Sequence, residues 1–245
     1  MASQHRGQRV ALITGASRGL GATLADFLAV QGYDLVLTAR GTQDLEKLTA
    51  SLAKYGGKVT GLAGDVTDAH HRRKLVSAAQ TLGRLDLLVN NASELGPSPM
   101  PPLAEYPREV LRWVFEVNVL APVGLVQEAL PLLKESKGLV VNISSDAAKG
   151  GYPGWGGYGA SKAALDLVSL TLANELNEEG ISVVSVDPGD MRTDMHQQAF
   201  PGEDISDRPL PEVTLPFWAW LLGQEPLAVS GGRYKAQSEQ WEPVA

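Results

Sequence analysis

Short, almost wholly apolar runs rich in β-branched residues alternate with longer amphipathic stretches along the chain. Such runs are typical of strands in a sheet that is covered on both faces, so they predict a buried parallel sheet. The seven predicted strands are Val10–Thr14, Asp34–Thr38, Val59–Leu62, Leu85–Asn90, Gly138–Ile143, Ile181–Val186 and Leu227–Ser230. The predicted helices are Leu20–Gln31, Asp44–Lys54, Ala69–Leu82, Pro107–Lys134, Gly159–Glu179 and Pro211–Leu222.

This alternation predicts an α/β protein with a doubly wound, mostly parallel seven-stranded sheet and helices on both faces, as in a Rossmann fold. No repeat or linker divides the 245 residues, so residues 1–245 are expected to form a single domain. The proline-containing stretch Asp194–Pro211 follows the carboxyl end of a predicted strand, where ligands bind in such sheets. We interpret it as a substrate lid, with a plain surface loop as the alternative.

Composition narrows the function mainly by exclusion. The chain is 44% hydrophobic and 20% charged, and it has no apolar run long enough to span a bilayer, so a globular, cytoplasmic protein without a membrane partner is expected. The net charge of −7 offers no basic surface to nucleic acid. The chain has no cysteine, and the adjacent His70 and His71 are interpreted as a surface pair, so no metal is expected.

The first predicted strand leads into a glycine-rich segment that is followed by an apolar helix. Glycine permits a tight turn and a close approach of the backbone to a phosphate group. The helix directs its N–H groups and the positive end of its dipole at the anion. The segment therefore predicts a dinucleotide site. Its candidate cofactor-binding residues are Gly15, Ser17, Arg18, Gly19, Leu20 and Gly21.

The end of the second predicted strand indicates which dinucleotide is bound. A fold that prefers NAD carries an Asp or Glu there for the ribose hydroxyls, whereas this chain has Ala39 followed by Arg40. Arg40 and Arg18 together suit the 2′-phosphate of NADP(H), because guanidinium groups bind phosphate in a fork. NADP(H) is therefore predicted over NAD(H). The alternative is that both arginines are solvated surface charges.

A tyrosine and a lysine four residues apart supply candidate acid/base chemistry. Tyr158 and Lys162 share one face of a predicted helix. A free phenol, with a pKa of about 10, is too weak a base at neutral pH, whereas a nearby ammonium favours the phenolate. The pair therefore predicts a tyrosine that exchanges a proton with the substrate.

Taken in order along the chain, these motifs resemble the short-chain dehydrogenase/reductase family, in its so-called classical subgroup. The resemblance rests on the glycine pattern at 14–21, on Asn90-Asn91-Ala92-Ser93, on the Tyr158–Lys162 spacing and on the segment Asp187–Thr193. Two positions depart from the family pattern: Ser93 stands in place of a glycine, and Met191 in place of a valine or isoleucine.

The resemblance implies further site residues. The implied catalytic set is Asn118, Ser145, Tyr158 and Lys162, in which Ser145 bonds the substrate oxygen and Asn118 holds a water in the proton relay to the lysine. Ser144 would face the other way and be structural. The other implied cofactor-binding residues are Asp65, Val66, Asn91, Ala92, Tyr158, Lys162, Pro188, Gly189, Met191 and Thr193.

The predicted function is hydride transfer between a nicotinamide and a carbonyl or secondary alcohol, with Tyr158 as the acid/base. Two alternatives stay open: a non-catalytic dinucleotide-binding sensor or scaffold on the same fold, and an NAD-dependent alcohol dehydrogenase. The substrate is expected to be a small molecule. Candidate residues for its pocket are Ser93, Glu94, Leu95, Asp146, Tyr152 and Trp155.

Two predicted helices, Pro107–Lys134 and Gly159–Glu179, carry more apolar residues than one sheet face can cover. Members of the resembling family commonly pair these helices across a two-fold axis. A homodimer or homotetramer is therefore expected.

Overall fold

A computed structural model describes residues 8–243 and contains a seven-stranded sheet in which every pair of neighbouring strands is parallel. The strands are β1 Val10–Thr14, β2 Asp34–Ala39, β3 Val59–Ala63, β4 Leu87–Asn90, β5 Leu139–Ile143, β6 Ser182–Asp187 and β7 Arg233–Lys235. Their order is β3-β2-β1-β4-β5-β6-β7. The predicted doubly wound α/β fold is confirmed.

Helices cover both faces of the sheet. They are α1 Gly19–Val30, α2 Thr42–Leu52, α3 Ala69–Thr81, α4 Arg108–Phe115, α5 Ala121–Ser136, α6 Ala147–Gly150, α7 Gly156–Leu176, α8 Asp194–Ala199, α9 Leu215–Leu222 and α10 Pro226–Val229. Across residues 8–243, none of the helices is both long and apolar enough to cross a membrane. Over the same span, no cluster of His, Cys, Asp and Glu side chains could hold a metal ion.

The core consists of two apolar layers that meet at the sheet. Successive side chains of β1 point to opposite faces, so Ala11 and Ile13 join the layer under α1 and α9, while Val10 and Leu12 join the layer under α3 and α5. All five residues of β1 are buried. This alternating burial explains why the central strands were predictable from continuous apolar runs.

The prediction of the last strand was wrong. Leu227–Ser230 mostly forms the short helix α10, which begins at Pro226, and the seventh strand lies three residues further on, at Arg233–Lys235. Proline in the first turn of a helix loses no hydrogen bond, because that N–H has no partner within the helix. A short apolar run does not distinguish a strand from a buried helix by its spacing alone.

The predicted helix Pro107–Lys134 is not one regular helix. Its middle, Glu116–Leu120, is a π-helical segment between α4 and α5. Pro122 has no N–H to donate to the carbonyl of Asn118 four residues earlier, which disfavours regular α-helical bonding there. The segment places Asn118 in the protein interior.

The predicted surface position of His70 and His71 is correct for His70, which is exposed, and wrong for His71. His71 is buried, and its Nε2 lies 2.8 Å from Oγ1 of Thr38, one residue before the end of β2. Burial lowers the pKa of His71, which favours the neutral ring. The ring also fills the space beside Gly64. His71 therefore supports two neighbouring strand ends rather than facing solvent.

Candidate active site

A cleft of about 390 Å³ opens at the carboxyl ends of the strands, where the sheet order switches direction between β1 and β4. Most of the predicted cofactor residues line it. They are Gly15, Ser17, Arg18, Gly19, Leu20, Arg40, Asp65, Val66, Asn91, Ala92, Tyr158, Lys162, Pro188, Met191 and Thr193. Of the predicted substrate residues, Ser93, Glu94 and Leu95 also line it. Gly21, Gly189, Asn118, Ser145, Asp146, Tyr152 and Trp155 do not.

The glycine segment forms a close-fitting cradle at the start of α1. Gly15 has a positive φ of 64°, and a Cβ on it would lie 2.9 Å from the Cα of Ala92. A Cβ on Gly21 would collide with the carbonyl oxygen of Gly15. The side-chain Nδ2 of Asn91 donates to the carbonyls of Thr14 and Gly15, at 2.9 and 3.0 Å. Only glycine fits these positions, and the arrangement suits a pyrophosphate at the N-terminus of α1.

The two arginines predicted to bind the 2′-phosphate each pair with a carboxylate from another part of the cleft. Nη1 of Arg18 lies 3.0 Å from Oδ2 of Asp194 at the start of α8, and Nη1 of Arg40 lies 3.6 Å from Oε2 of Glu94. Both arginine side chains are 63% exposed. Exposed pairs of this kind are weak, so either arginine can exchange its carboxylate for a phosphate.

Tyr158 and Lys162 lie side by side on the buried face of α7. The lysine Nζ lies 5.5 Å from the centre of the tyrosine ring and donates to the carbonyl of Ile143 at 2.7 Å. Burial lowers the pKa of Lys162 to about 8. Burial also raises the pKa of Tyr158 to about 12, against the lowering effect of hydrogen bonds with Ser93 and Ser145. The structure therefore lacks the expected lowering of the phenol pKa by the lysine.

Ser145 stands beside Tyr158, just beyond the end of β5. Its Oγ donates to Oδ1 of Asp146 and accepts from the amide of Ala147, both at 3.1 Å. The preceding Ser144 is buried. Its amide donates to the carbonyl of Val186 at 2.7 Å, so Ser144 is the last residue of this chain segment held by β6.

Asn118 uses its whole side-chain amide in hydrogen bonds. Its Oδ1 accepts from the amide of Glu94 at 2.7 Å and from the hydroxyl of Ser93 at 3.1 Å. Its Nδ2 donates to the carbonyl of Glu94 and to the hydroxyl of Ser161, both at 2.9 Å. An amide has two donors and two good acceptor sites, so this one is saturated. Asn118 therefore fixes the loop that follows β4 to the helix that carries Tyr158 and Lys162.

Two aromatic side chains, Trp155 and Phe200, extend outward from Tyr158. The ring of Trp155 meets Tyr158 edge-on at 5.9 Å, and Phe200, just after α8, lies 5.9 Å from Trp155. Tyr152 is exposed at the rim, where a hydrogen bond with Asp146 raises its pKa. This side of the site is apolar and aromatic, with Asp146 at its edge.

Comparison with known proteins places this geometry in a family. A sequence model described as short chain dehydrogenase matches residues 9–204. The chain belongs to the short-chain dehydrogenase family. The match extends from just before β1 to beyond α8, and so spans the glycine cradle, Tyr158 and Lys162.

Two relatives and one solved structure show how close the likeness is. An uncharacterised oxidoreductase of Saccharomyces cerevisiae is 38% identical over 190 residues, covering 76% of this chain and 72% of its own. A serine 3-dehydrogenase of Rhizobium radiobacter is 35% identical over 185 residues, covering 75% and 72%. A short-chain dehydrogenase of Shigella flexneri, crystallised with NADP, has a TM-score of 0.87 and 31% identity over 94% of this chain and 97% of its own. The protein is therefore an oxidoreductase of this family with its Rossmann fold.

Proposed function

We propose that the protein is an NADP(H)-dependent oxidoreductase that interconverts a carbonyl and a secondary alcohol. The observation that carries the proposal is a single cleft with the arginines at one end and the buried Tyr158–Lys162 pair on its wall. A bound nicotinamide would supply or accept the hydride. The chain itself has to bind the substrate oxygen, move a proton and exclude water.

Tyr158 is the proton donor to the substrate oxygen in this proposal. With its pKa raised to about 12, the phenol stays protonated throughout the neutral range, which suits an acid in carbonyl reduction. Ser145, whose side chain is hydrogen-bonded to Tyr158, would share the substrate oxygen with it. The side chain of Lys162, next to Tyr158, is a charged ammonium at pH values below about 8. Asn118 would hold the loop after β4 in place.

Support for NADP(H) comes from the residues at the end of β2. Ala39 stands where an acidic residue would bind the ribose hydroxyls of NAD, and Arg40 lines the cleft next to it. The Shigella flexneri relative was crystallised with NADP.

The segment 194–211 is proposed to act as the lid of this site. It begins with α8 and is closed at its base by the amide of Arg192, which donates to the carbonyl of Pro209 at 2.8 Å. Ser98 donates to the carbonyl of Gln198 at 2.6 Å, and Phe200 packs against Trp155. The segment therefore spans the aromatic side of the site, where the substrate would enter.

A homodimer or homotetramer is proposed from the surface of the helices around the π segment and α7. Leu120, Leu167 and Leu170 are 55%, 67% and 45% exposed. The π segment and α7 contact each other, so these leucines lie on neighbouring segments, and exposed apolar patches mark interaction sites. Light scattering should give a mass of at least twice 26.1 kDa at micromolar concentration, and a monomer would contradict it.

The proposed activity is tested by following NADPH oxidation with a panel of ketones and aldehydes, and NADP⁺ reduction with the matching alcohols. At least one carbonyl should be turned over, and NADH should serve much less well. The same panel with Tyr158→Phe controls for contaminating reductases. A protein that binds NADPH but turns over no member of the panel, in either direction, would be a binding protein and not an oxidoreductase of this kind.

A further inference from the structure

Arg233 is a buried cation on β7, outside every motif described above. Its side chain is 9% exposed. Nε lies 2.8 Å from Oδ2 of Asp166 on α7, and Nη2 donates to the backbone carbonyl of Ser145 at 2.8 Å. Nη2 also lies 3.7 Å from Oδ2 of Asp187, the last residue of β6. One guanidinium thus joins two strand ends and a helix.

The topology explains how a residue at the sheet edge reaches the active site. Arg233 pairs with Ser185 of β6, and side chains of paired residues point to the same face. This face carries α7, where Asp166 lies one turn beyond Lys162. The side chain passes across β6 to the end of β5. Arginine suits the task, because its planar fork serves several acceptors at fixed angles.

Ser145 depends on contacts other than strand pairing. Beyond the Ser144 amide, the chain leaves the sheet and turns into α6. The Ser145 carbonyl accepts from the amide of Ala148 at 3.1 Å within that turn. The hydrogen bond from Arg233 joins the same carbonyl to β7 of the sheet.

We propose that Arg233 is a positioning residue, which holds the Ser145 carbonyl and thereby sets the Ser145 hydroxyl relative to Tyr158. This rests on the proposed function, in which Ser145 and Tyr158 share the substrate oxygen. Asp166 and Asp187 hold the guanidinium in turn, and their carboxylates make its burial tolerable. Displacing a reacting group by about 1 Å can cost roughly 10²-fold in rate. Loss of the one hydrogen bond from Arg233 to the Ser145 carbonyl can therefore lower the rate by more than the strength of that bond suggests.

The test is a double-mutant cycle with Arg233→Lys and Ser145→Ala, measured as kcat and as NADPH affinity. Lysine keeps the charge beside Asp166 and Asp187, but its single ammonium does not reproduce the fork. Arg233→Lys should keep most of the thermal stability and the NADPH affinity, and should lower kcat about tenfold, within the range of couplings inside one network. In the Ser145→Ala background the same change should have little effect on kcat.

The matched control is Arg84→Lys. Arg84 is also part of an ion pair, with Nε 2.7 Å from Oδ2 of Asp86, but that pair precedes β4, at the amino ends of the strands and away from the cleft. The Arg84→Lys substitution should leave kcat unchanged. Equal fold losses for Arg233→Lys in both backgrounds, or an unchanged kcat in the wild-type background, would overturn the positioning role and leave a purely structural ion pair.

A crystal structure of the Arg233→Lys protein separates this inference from the proposed function. The Ser145 carbonyl should be displaced from the amide of Ala148, and the Ser145 hydroxyl from the amide of Ala147 and from Asp146. An unmoved Ser145 overturns the inference, even if the wild-type protein is an active reductase. A displaced Ser145 in a protein that reduces no carbonyl supports the inference and rejects the proposed function instead.

Discussion

The arginines at the two ends of the cleft differ in their exposure and in their number of partners. Arg18 and Arg40, at the cofactor end, are largely exposed and each pairs with one carboxylate across open space. Arg233, behind the catalytic end, is 9% exposed and contacts two carboxylates and a carbonyl. Exposed pairs are worth about 0–1 kcal/mol, whereas removing one partner of a buried pair costs about 3–5 kcal/mol. Burial decides which arginine can change partner and which cannot.

The comparison indicates that the two ends of the cleft have different tasks. The cofactor end has to admit and release a charged ligand, so its cations are paired weakly enough to be exchanged. In the proposed function the catalytic end has to hold Ser145, Tyr158 and Lys162 in one arrangement. There Tyr158 and Lys162 are buried, Tyr158 is hydrogen-bonded to Ser145, and Lys162 donates to the carbonyl of Ile143. Substitutions at the catalytic end should therefore change kcat, and those at the cofactor end should change affinity.

The largest expected effect is that of Tyr158→Phe. Removing the phenol hydroxyl should lower the rate of carbonyl reduction by about 10²–10⁴-fold, the usual contribution of a general acid. NADPH affinity should hardly change, since the cradle and the arginines are untouched. The measurement is steady-state turnover together with NADPH binding by fluorescence. Near wild-type turnover would mean that Tyr158 is merely a packed aromatic side chain.

A second effect at the catalytic end is pH-dependent. Because the pKa of Lys162 is lowered to about 8, its ammonium is present below that pH and is lost above it. Tyr158, with a pKa of about 12, stays protonated over the same range. We expect kcat/KM for reduction to fall as the pH rises past about 8.

Lys162→Arg is the matched variant for the pH profile, because a guanidinium stays charged at a pKa above about 12. The variant should be slower than the wild type but should lose the decline above pH 8. An identical alkaline decline in both proteins would assign it to another group.

At the cofactor end, Arg40→Asp should alter which dinucleotide binds. The wild type should bind NADPH at least about tenfold tighter than NADH, a difference of about 1.4 kcal/mol. The variant should lose or reverse that preference, because it removes a phosphate ligand and introduces an acid that suits ribose hydroxyls. Calorimetry of the wild type and the variant with NADPH and NADH gives the dissociation constants. Equal wild-type dissociation constants would contradict the assignment of Arg40.

The smallest expected effect concerns the carboxylates that the phosphate displaces. Glu94→Gln and Asp194→Asn each remove the competitor of one arginine, so NADPH should bind roughly two- to fivefold tighter, as a weak surface pair implies. The gain should shrink at high salt, which screens exposed charges. Weaker NADPH binding in both variants would show that these carboxylates help to hold the cofactor.

The sequence was most informative where function requires a local pattern. The glycine segment, Ala39-Arg40 and the Tyr158–Lys162 spacing are each contiguous, and the structure gathers nearly all of these residues around one cleft. Arg233 was missed for a specific reason. The last strand was assigned to Leu227–Ser230, so Arg233 fell outside any predicted element and its register with β6 could not be seen.

Long-range partners set the other limits of prediction. The burial of His71 follows from its contact with Thr38, 33 residues earlier, and nothing in its own helix indicates it. The pKa of Tyr158 depends on how deeply α7 is buried, which the spacing of the tyrosine and the lysine does not reveal. Local spacing located these groups, and only the assembled fold determines their ionisation.

The central position of β1 has a consequence for the order of folding during synthesis. β1 pairs on one side with β2 and on the other with β4, with Ala11 opposite Leu87. The half of the sheet that holds β2 and β3 emerges from the ribosome first, and one edge of β1 stays unpaired until β4 follows. An unpaired strand edge is a template for aggregation, and four of the five residues of β1 are apolar. A nascent chain that stalls before Leu87 would therefore need a chaperone at the strand that later forms the middle of the sheet.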